Sequence, residues 1–187
     1  MINWFKKHVV ERLSEEQLIH KVHKGDKEAF GNLYLLYLDR IYRYIFFRVN
    51  QEKHTAEDLT ETVFVKAMQH IGNFTTEKGN FQSWLYRIAH NTVIDHYKSY
   101  KQTTGIQEHT IAEDHIAVLE EKLDIKNQFH FVTKAMESLT DEQREVIILR
   151  FIEDLSPKQI AVIVDKHEDA VRAIQYRALQ TLRKQLQ

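Results

Sequence analysis

Trp84-Leu85-Tyr86-Arg87-Ile88-Ala89-His90-Asn91-Thr92-Val93-Ile94-Asp95-His96-Tyr97-Lys98 is the stretch whose reading decides the fold. Leu85, Ile88, Ala89, Thr92 and Val93 recur at the spacing of one helical face, which predicts an amphipathic helix that buries this stripe. The remaining faces carry Tyr86, Arg87, His90, Asn91 and Lys98. Rings stack on bases, cations meet phosphates and amides read base edges, so this helix is a candidate surface for a nucleic-acid strand.

The rest of the chain suits long helices. Its 187 residues include one Pro and five Gly, too few breakers for an all-β fold with many tight turns. There is no Cys, which removes disulfide and thiolate chemistry and suits a reducing cytosol. No apolar run is long enough to span a membrane, and Met1 to Lys7 lacks the apolar core of a signal peptide, so a cytoplasmic protein without membrane insertion is expected. A formal net charge of −1 argues against gripping DNA by bulk electrostatics alone. The distribution of charge says more. Between Glu137 and Asp169 acids outnumber bases, whereas beyond Asp169 only Arg172, Arg177, Arg183 and Lys184 are charged. Such a chain would bind DNA when a larger partner supplies the remaining affinity.

Ser14 with Gln17, Thr140 with Gln143 and Ser156 with Gln159 each place a hydroxyl three residues before a Gln, the capping-box pattern that opens a helix. Pro157 then falls at the first helical position, where its missing N–H costs nothing. Thr55 with Asp58 is a weaker version. Helices are predicted at 15–23, 26–49, 55–71, 81–99, 127–138, 141–153, 157–164 and 168–185. The expected fold is all-α, with two small helical domains at 14–99 and 127–187 joined by a linker at 100–126. Tyr34, Tyr37, Tyr42, Tyr44, Phe46 and Phe47 are read as core packing of long helices.

The C-terminal domain carries helix-turn-helix spacing: a short helix from Ser156 to Val164, a turn at Asp165-Lys166-His167, and a longer helix from Glu168. Val171, Ala178 and Leu182 share the face expected to pack on the first helix. Arg172, Tyr176 and Arg177 point elsewhere, and an Arg near the start of a recognition helix can grip a guanine with two bonds, worth ~1–3 kcal/mol of discrimination.

Phe81, Trp84 to Ala89, Asn91 and Ile94-Asp95 resemble the promoter-melting and −10 recognition segment of the extracytoplasmic-function (ECF) sigma factors of bacterial RNA polymerase. Leu139-Thr140, Arg144, Leu149, Ser156, Ile160-Ala161, Val171-Arg172 and Arg177 to Leu182 resemble the family's fourth conserved region. Gln175-Tyr176-Arg177-Ala178 resembles the branch that contains the developmental sigma factors of sporulating actinobacteria. The chain departs from the family pattern at Thr140 (usually Pro), Gln159 (usually Glu), Asp165 (usually Gly), Thr62 (typically Glu) and at Ile174 and Gln175, where basic and apolar residues are commonly found in that order.

The resemblance implies a transcription initiation factor that binds core RNA polymerase and promoter DNA and needs no cofactor or metal. Ala56 to Ala67 resembles the polymerase-binding helix, with Asp58, Glu61, Phe64 and Lys66 as its contacts. The loop 74–80 corresponds to the family's pocket for a flipped −10 base, for which Lys78 and Asn80 are candidates alongside Arg87, His90, Asn91 and Lys98. The −35 element falls to Lys166, His167, Arg172, Gln175, Tyr176 and Arg177. The linker would thread toward the polymerase active-site channel, and an anti-sigma factor is an expected regulator by family habit. Two other readings compete. His20 and His23 have helical spacing but no second ligand pair beside them, which disfavours a metalloenzyme. An autonomous helix-turn-helix regulator would account for 140–187 and leave Asp58–Ala67 and Phe81–Lys98 as coincidence.

Overall fold

A computed structural model of the protein describes residues 13–75, 79–104 and 134–185. Seven α-helices organise them: α1 (Glu15–His23), α2 (Lys27–Arg48), α3 (Lys53–His70), α4 (Phe81–Thr104), α5 (Asp141–Ile147), α6 (Pro157–Val164) and α7 (Glu168–Gln185). No strand occurs among the described residues.

The helix starts follow the sequence chemistry. Ser14, Thr140 and Ser156 each accept from the backbone N–H three residues on, while Gln17, Gln143 and Gln159 reach back to the cap, closing three complete capping boxes. Asp26 caps α2 through bonds from Glu28 and Ala29. Between α1 and α2 the chain reverses at Gly25, whose φ of 87° favours a residue without a Cβ. One start differs from expectation. α3 begins at Lys53 because Glu52, not Thr55, is its cap: the Glu52 carboxylate accepts from the N–H groups of His54 and Thr55 at 3.3 and 2.5 Å.

The N-terminal half packs α1, α2, α3 and α4 on one another. α4 buries Leu85, Ala89, Thr92 and Val93, with Ile88 half-buried, so the predicted stripe is its core face. Tyr37, Tyr44 and Phe47 are buried from α2, while Tyr42 and Phe46 stack at a centroid distance of 5.8 Å at its edge. Tyr44 and Tyr86 are fully buried and meet edge to face at 5.5 Å. Such a pair adds roughly 0.5–1.5 kcal/mol beyond its buried area.

In the C-terminal half the predicted helix 141–153 is interrupted. α5 ends at Ile147, and residues Ile148–Ile152 form a wider π turn, in which Glu153 N–H bonds Ile148 O and Leu155 N–H bonds Leu149 O. Asp154 follows with φ 53°. The wider turn swings Glu153 out of the helical path that a continuous α-helix would have given it. α6 and α7 form the helix-turn-helix, with Asp165 in the left-handed conformation at φ 54° and ψ 52°. The face of α7 that packs inward is Val171, Ile174 and Ala178, with Leu182 half-buried. Ile174 therefore belongs to the core: it lies three residues after Val171 and four before Ala178, on their stripe. Most of the expected helix at 127–138 and most of the linker at 100–126 lie outside the described residues; α4 runs on to Thr104, past the expected end at 99 and into the first residues assigned to the linker, and 134–137 are helical.

The two halves pack together. α4 lies against α6, and α2 against the π turn.

Candidate nucleic-acid interface

α3 presents Asp58, Glu61, Val65 and Met68, spaced three, four and three residues apart along one exposed stripe. Val65 and Met68 are 49% and 59% exposed. Phe64 leaves this set: it is buried and meets Tyr34 edge to face at 4.7 Å, so its ring fills the core between α2 and α3. Lys66 also turns away, its Nζ lying 3.2 Å from Thr92 Oγ1 and 3.9 Å from Asp95 on α4. The sequence pattern alone offers no reason to select Val65 and Met68, because apolar residues in a helix read first as core.

On α4, Arg87, Asn91 and Lys98 are exposed, in the helix that the sequence picks out for a strand. Lys78 lies outside the described residues. Asn80 is exposed and its side-chain oxygen accepts from Ser83 N–H at 2.8 Å, so it caps α4. Tyr86, expected on an outer face, is instead fully buried, and His90 is half-buried. Both are covered by acids of the C-terminal half.

Glu153 is the centre of one such contact. Arg43 holds its carboxylate with Nε at 2.8 Å and Nη2 at 3.0 Å, Tyr86 donates its hydroxyl at 2.5 Å, and Arg40 donates to its carbonyl at 3.0 Å. The carboxylate raises the pKa of Arg43 through this hydrogen bond. Burial, and next the negative charge of Glu153, push the Tyr86 phenol well above the usual tyrosine range.

Glu145 is the centre of the other. Tyr44 donates to it at 2.7 Å, His90 Nδ1 lies 2.5 Å away, and Arg48 approaches within 3.8 Å. Burial alone would raise the Glu145 carboxyl, but the His90 hydrogen bond, the Arg48 charge and the Tyr44 hydroxyl outweigh it and hold the group below the usual carboxylate range. Further along, Arg48 donates to Asp141 O at 3.2 Å and Arg144 reaches Asn50 at 2.8 Å. At the rim Arg87 faces Asp165 at 3.9 Å. A cleft of about 440 Å³ remains between the halves, with Arg48, His90 and Lys98 on one wall and Asp141, Glu142 and Lys166 on the other.

The helix-turn-helix is less covered. Arg172, Tyr176 and Arg177 are exposed on α7, Tyr176 by 65%. Arg172 is held by Glu168 at 2.5 Å, one turn earlier on the same helix. His167 is exposed, Gln175 is half-buried, and Lys166 pairs with Glu142 at 2.7 Å. Among the described residues no group of His, Asp or Glu is placed to hold a metal ion; His23 lies 3.0 Å from Ile71 O. No helix among them is long and apolar enough to cross a membrane.

Residues 33–103 match sigma-70 region 2, and residues 135–184 match sigma-70 region 4. Two helical regions in this order, the second a helix-turn-helix, define the sigma-70 class. The chain is 38% identical over 170 residues to the ECF RNA polymerase sigma factor BldN of Streptomyces coelicolor, covering 89% of this chain and 63% of that protein. It is 32% identical over 181 residues to the ECF RNA polymerase sigma factor SigW of Bacillus subtilis, covering 90% of this chain and 94% of that protein. Among solved structures it resembles the Bartonella quintana sigma factor RpoE, crystallised with the anti-sigma factor NepR, at a TM-score of 0.69 and 25% identity over 84% of this chain and 96% of that one. The chain belongs to the ECF sigma factors, transcription initiation factors that are not enzymes. The Streptomyces relative agrees with the branch that Gln175 to Ala178 resembles.

Proposed function

We propose that this chain binds core RNA polymerase in the cytoplasm through the Asp58, Glu61, Val65 and Met68 stripe of α3 and directs it to promoters. Arg87, Asn91 and Lys98 of α4, with the loop that ends at Asn80, engage and open the −10 element. Arg172, Tyr176 and Arg177 of α7 engage the −35 element. The observation that carries this reading is the pairing of two matched regions with two exposed, chemically suitable faces, one on α4 and one on α7. The packed arrangement is the resting form, in which α4 is partly covered by α6. Promoter opening then draws on binding energy from the unstacked strand, with stacking and backbone contacts offsetting the few kcal/mol that base extrusion costs. An anti-sigma factor, the class of partner carried by the Bartonella relative, is proposed as the regulator.

The test is a native gel of the purified chain with bacterial core RNA polymerase, beside an Asp58→Arg control. A stable complex that the control abolishes supports the reading. Absence of a complex, together with direct binding of duplex DNA by the chain alone, would replace it with an autonomous helix-turn-helix regulator.

A further inference from the structure

Three acids from the excess between Glu137 and Asp169 are spent on region 2. Glu153 sits in the Arg43 fork with Tyr86 and Arg40 around it, Glu145 meets His90, Tyr44 and Arg48, and Asp165 meets Arg87. The receptors lie on two adjacent helices. Arg40, Arg43, Tyr44 and Arg48 follow one another along α2, while Tyr86, Arg87 and His90 follow along α4. Together they make a track of forked cations and hydroxyl or imidazole donors, and Asn91 and Lys98 are exposed on the same helix α4. A planar guanidinium that grips a carboxylate with two bonds offers the same geometry to a phosphate.

We propose that this track, with Arg40 and Arg43 as its main cations, is a phosphodiester-binding site for the promoter strand, and that Glu153 and Glu145 of region 4 occupy it as phosphate mimics in the resting form. The inference rests on the reading of the chain as a sigma factor and adds α2 to its DNA surface. A nucleic-acid strand is favoured over an acidic protein segment because the track shares a helix with Arg87 and Asn91, the residues placed to hold the strand. The Tyr86 hydroxyl and the Arg43 fork are satisfied in both states: by Glu153 when the regions are packed, and by a strand phosphate when they part. Asp39, which also acts on Arg43, stays on α2 in both and moderates the site without filling it.

The first arm uses the full chain and a fluorescein-labelled single-stranded DNA 20-mer of mixed sequence, read by anisotropy. Glu145→Gln/Glu153→Gln keeps side-chain shape and removes both charges. It is expected to bind at least tenfold tighter than the parent chain, and adding Arg40→Gln/Arg43→Gln is expected to cancel the gain. No gain, or a gain that survives removal of the two arginines, overturns the proposal. An equal gain on a labelled polyglutamate peptide also overturns it, in favour of an acidic protein partner. The second arm does not depend on the glutamine pair folding. In complex with core polymerase, Arg40→Gln/Arg43→Gln is expected to weaken binding of the same strand about tenfold and to flatten the dependence of log affinity on log salt by about 1.4, near 0.7 for each phosphate that the variant leaves unneutralised. An unchanged slope overturns the proposal. A native gel in the same series shows whether the variant still forms the polymerase complex: if it does, an unchanged slope sinks the phosphate track alone, and if the parent chain forms no complex, the sigma reading itself fails.

Discussion

Arg43 holds Glu153 in a fork of 2.8 and 3.0 Å, although the two residues are 110 positions apart and belong to different sigma regions. The Glu153 side chain is fully buried by this contact, whereas Arg43 keeps about half of its own surface, with 45% exposed. The energetics are therefore lopsided. Removing Arg43 leaves a buried carboxylate facing Tyr86 and the more distant Arg40, while removing Glu153 leaves a cation that water can still reach. Loss of one partner from a buried pair costs about 3–5 kcal/mol when the other stays buried and uncompensated. Arg43→Ala is expected to approach that range only if the regions stay packed. They need not, so the expected outcome is separation of the regions, seen as a larger radius of gyration in solution scattering with unchanged helix content by circular dichroism.

Acid should open the same interface. Glu145 titrates below its ordinary value of 4.5, so it contributes stability that is present above that value and is lost as pH falls through its folded-state value. Tyr44 and Tyr86 act in the opposite sense: burial raises both, so their contribution is complete below the ordinary 10.0 and fades only in strong alkali. Packing of the regions is expected to weaken as pH falls below about 4.5. Scattering from pH 7 downward checks this. A Glu145→Gln chain whose opening follows the same acid profile as the parent would assign the transition to other groups.

The stripe of α3 proposed to dock on polymerase is exposed, so docking and folding can be tested separately. Met68→Glu and Val65→Asp alter side chains that are 59% and 49% exposed, so thermal stability is expected to move by no more than about 0.5 kcal/mol. Affinity for core polymerase is expected to fall tenfold or more, because each change desolvates a charge in an apolar contact. Phe64→Ala is the contrast. It removes a buried ring and is expected to cost about 3–5 kcal/mol of stability. A Phe64→Ala chain that kept its melting temperature and lost only polymerase binding would return Phe64 to the docking face.

Asp165 tests the turn of the helix-turn-helix. At φ 54° a residue with a Cβ is disfavoured, and Asp is among the few that tolerate the region. Asp165→Val is expected to destabilise region 4 by ~1–2 kcal/mol, whereas Asp165→Gly is expected to be neutral or stabilising. The ion pair with Arg87 at 3.9 Å disappears in both and weighs little, because both side chains are well exposed. Thermal melts of the two variants decide: equal losses would mean that the Arg87 pairing, not the backbone, sets the effect.

Much of this is legible in the sequence because it is local. Three capping boxes and the helices at 15–23, 157–164 and 168–185 depend on residues three or four apart, and each occurs where the pattern puts it. The α4 stripe is legible for the same reason, from Leu85 to Val93. Tyr86 reads as an outer-face residue because its partners, Tyr44 and the Glu153 carboxylate that accepts from its hydroxyl, are distant in sequence and no local pattern connects them to it. Glu153 in turn reaches it through the π turn after Ile147, a deviation that a run of apolar residues continuing the helical period does not signal. The capping role of Glu52 escapes the pattern because a Glu at the end of a turn reads as solvated charge, and only the backbone path shows its carboxylate beneath two free N–H groups.

The two proposed DNA faces should fail differently. Arg87 and Asn91 are exposed on α4, four residues apart and therefore neighbours on its surface. Arg87→Ala/Asn91→Ala is expected to leave the polymerase complex intact and to abolish opening of the −10 region, read by permanganate reactivity of unpaired thymines. Arg172 lies on α7 with Glu168 as its present partner at 2.5 Å. An exposed pair one turn apart is worth about 0.3–0.5 kcal/mol, less than the ~1–3 kcal/mol of a two-bond guanine contact, so DNA can take the guanidinium from Glu168. Arg172→Ala is therefore expected to relax preference at one −35 base pair by about ten- to a hundredfold while leaving opening on a strong −10 element unchanged. Weakening that is uniform across all −35 variants would instead make Arg172 a backbone contact and move the base-reading role to Tyr176 or Arg177.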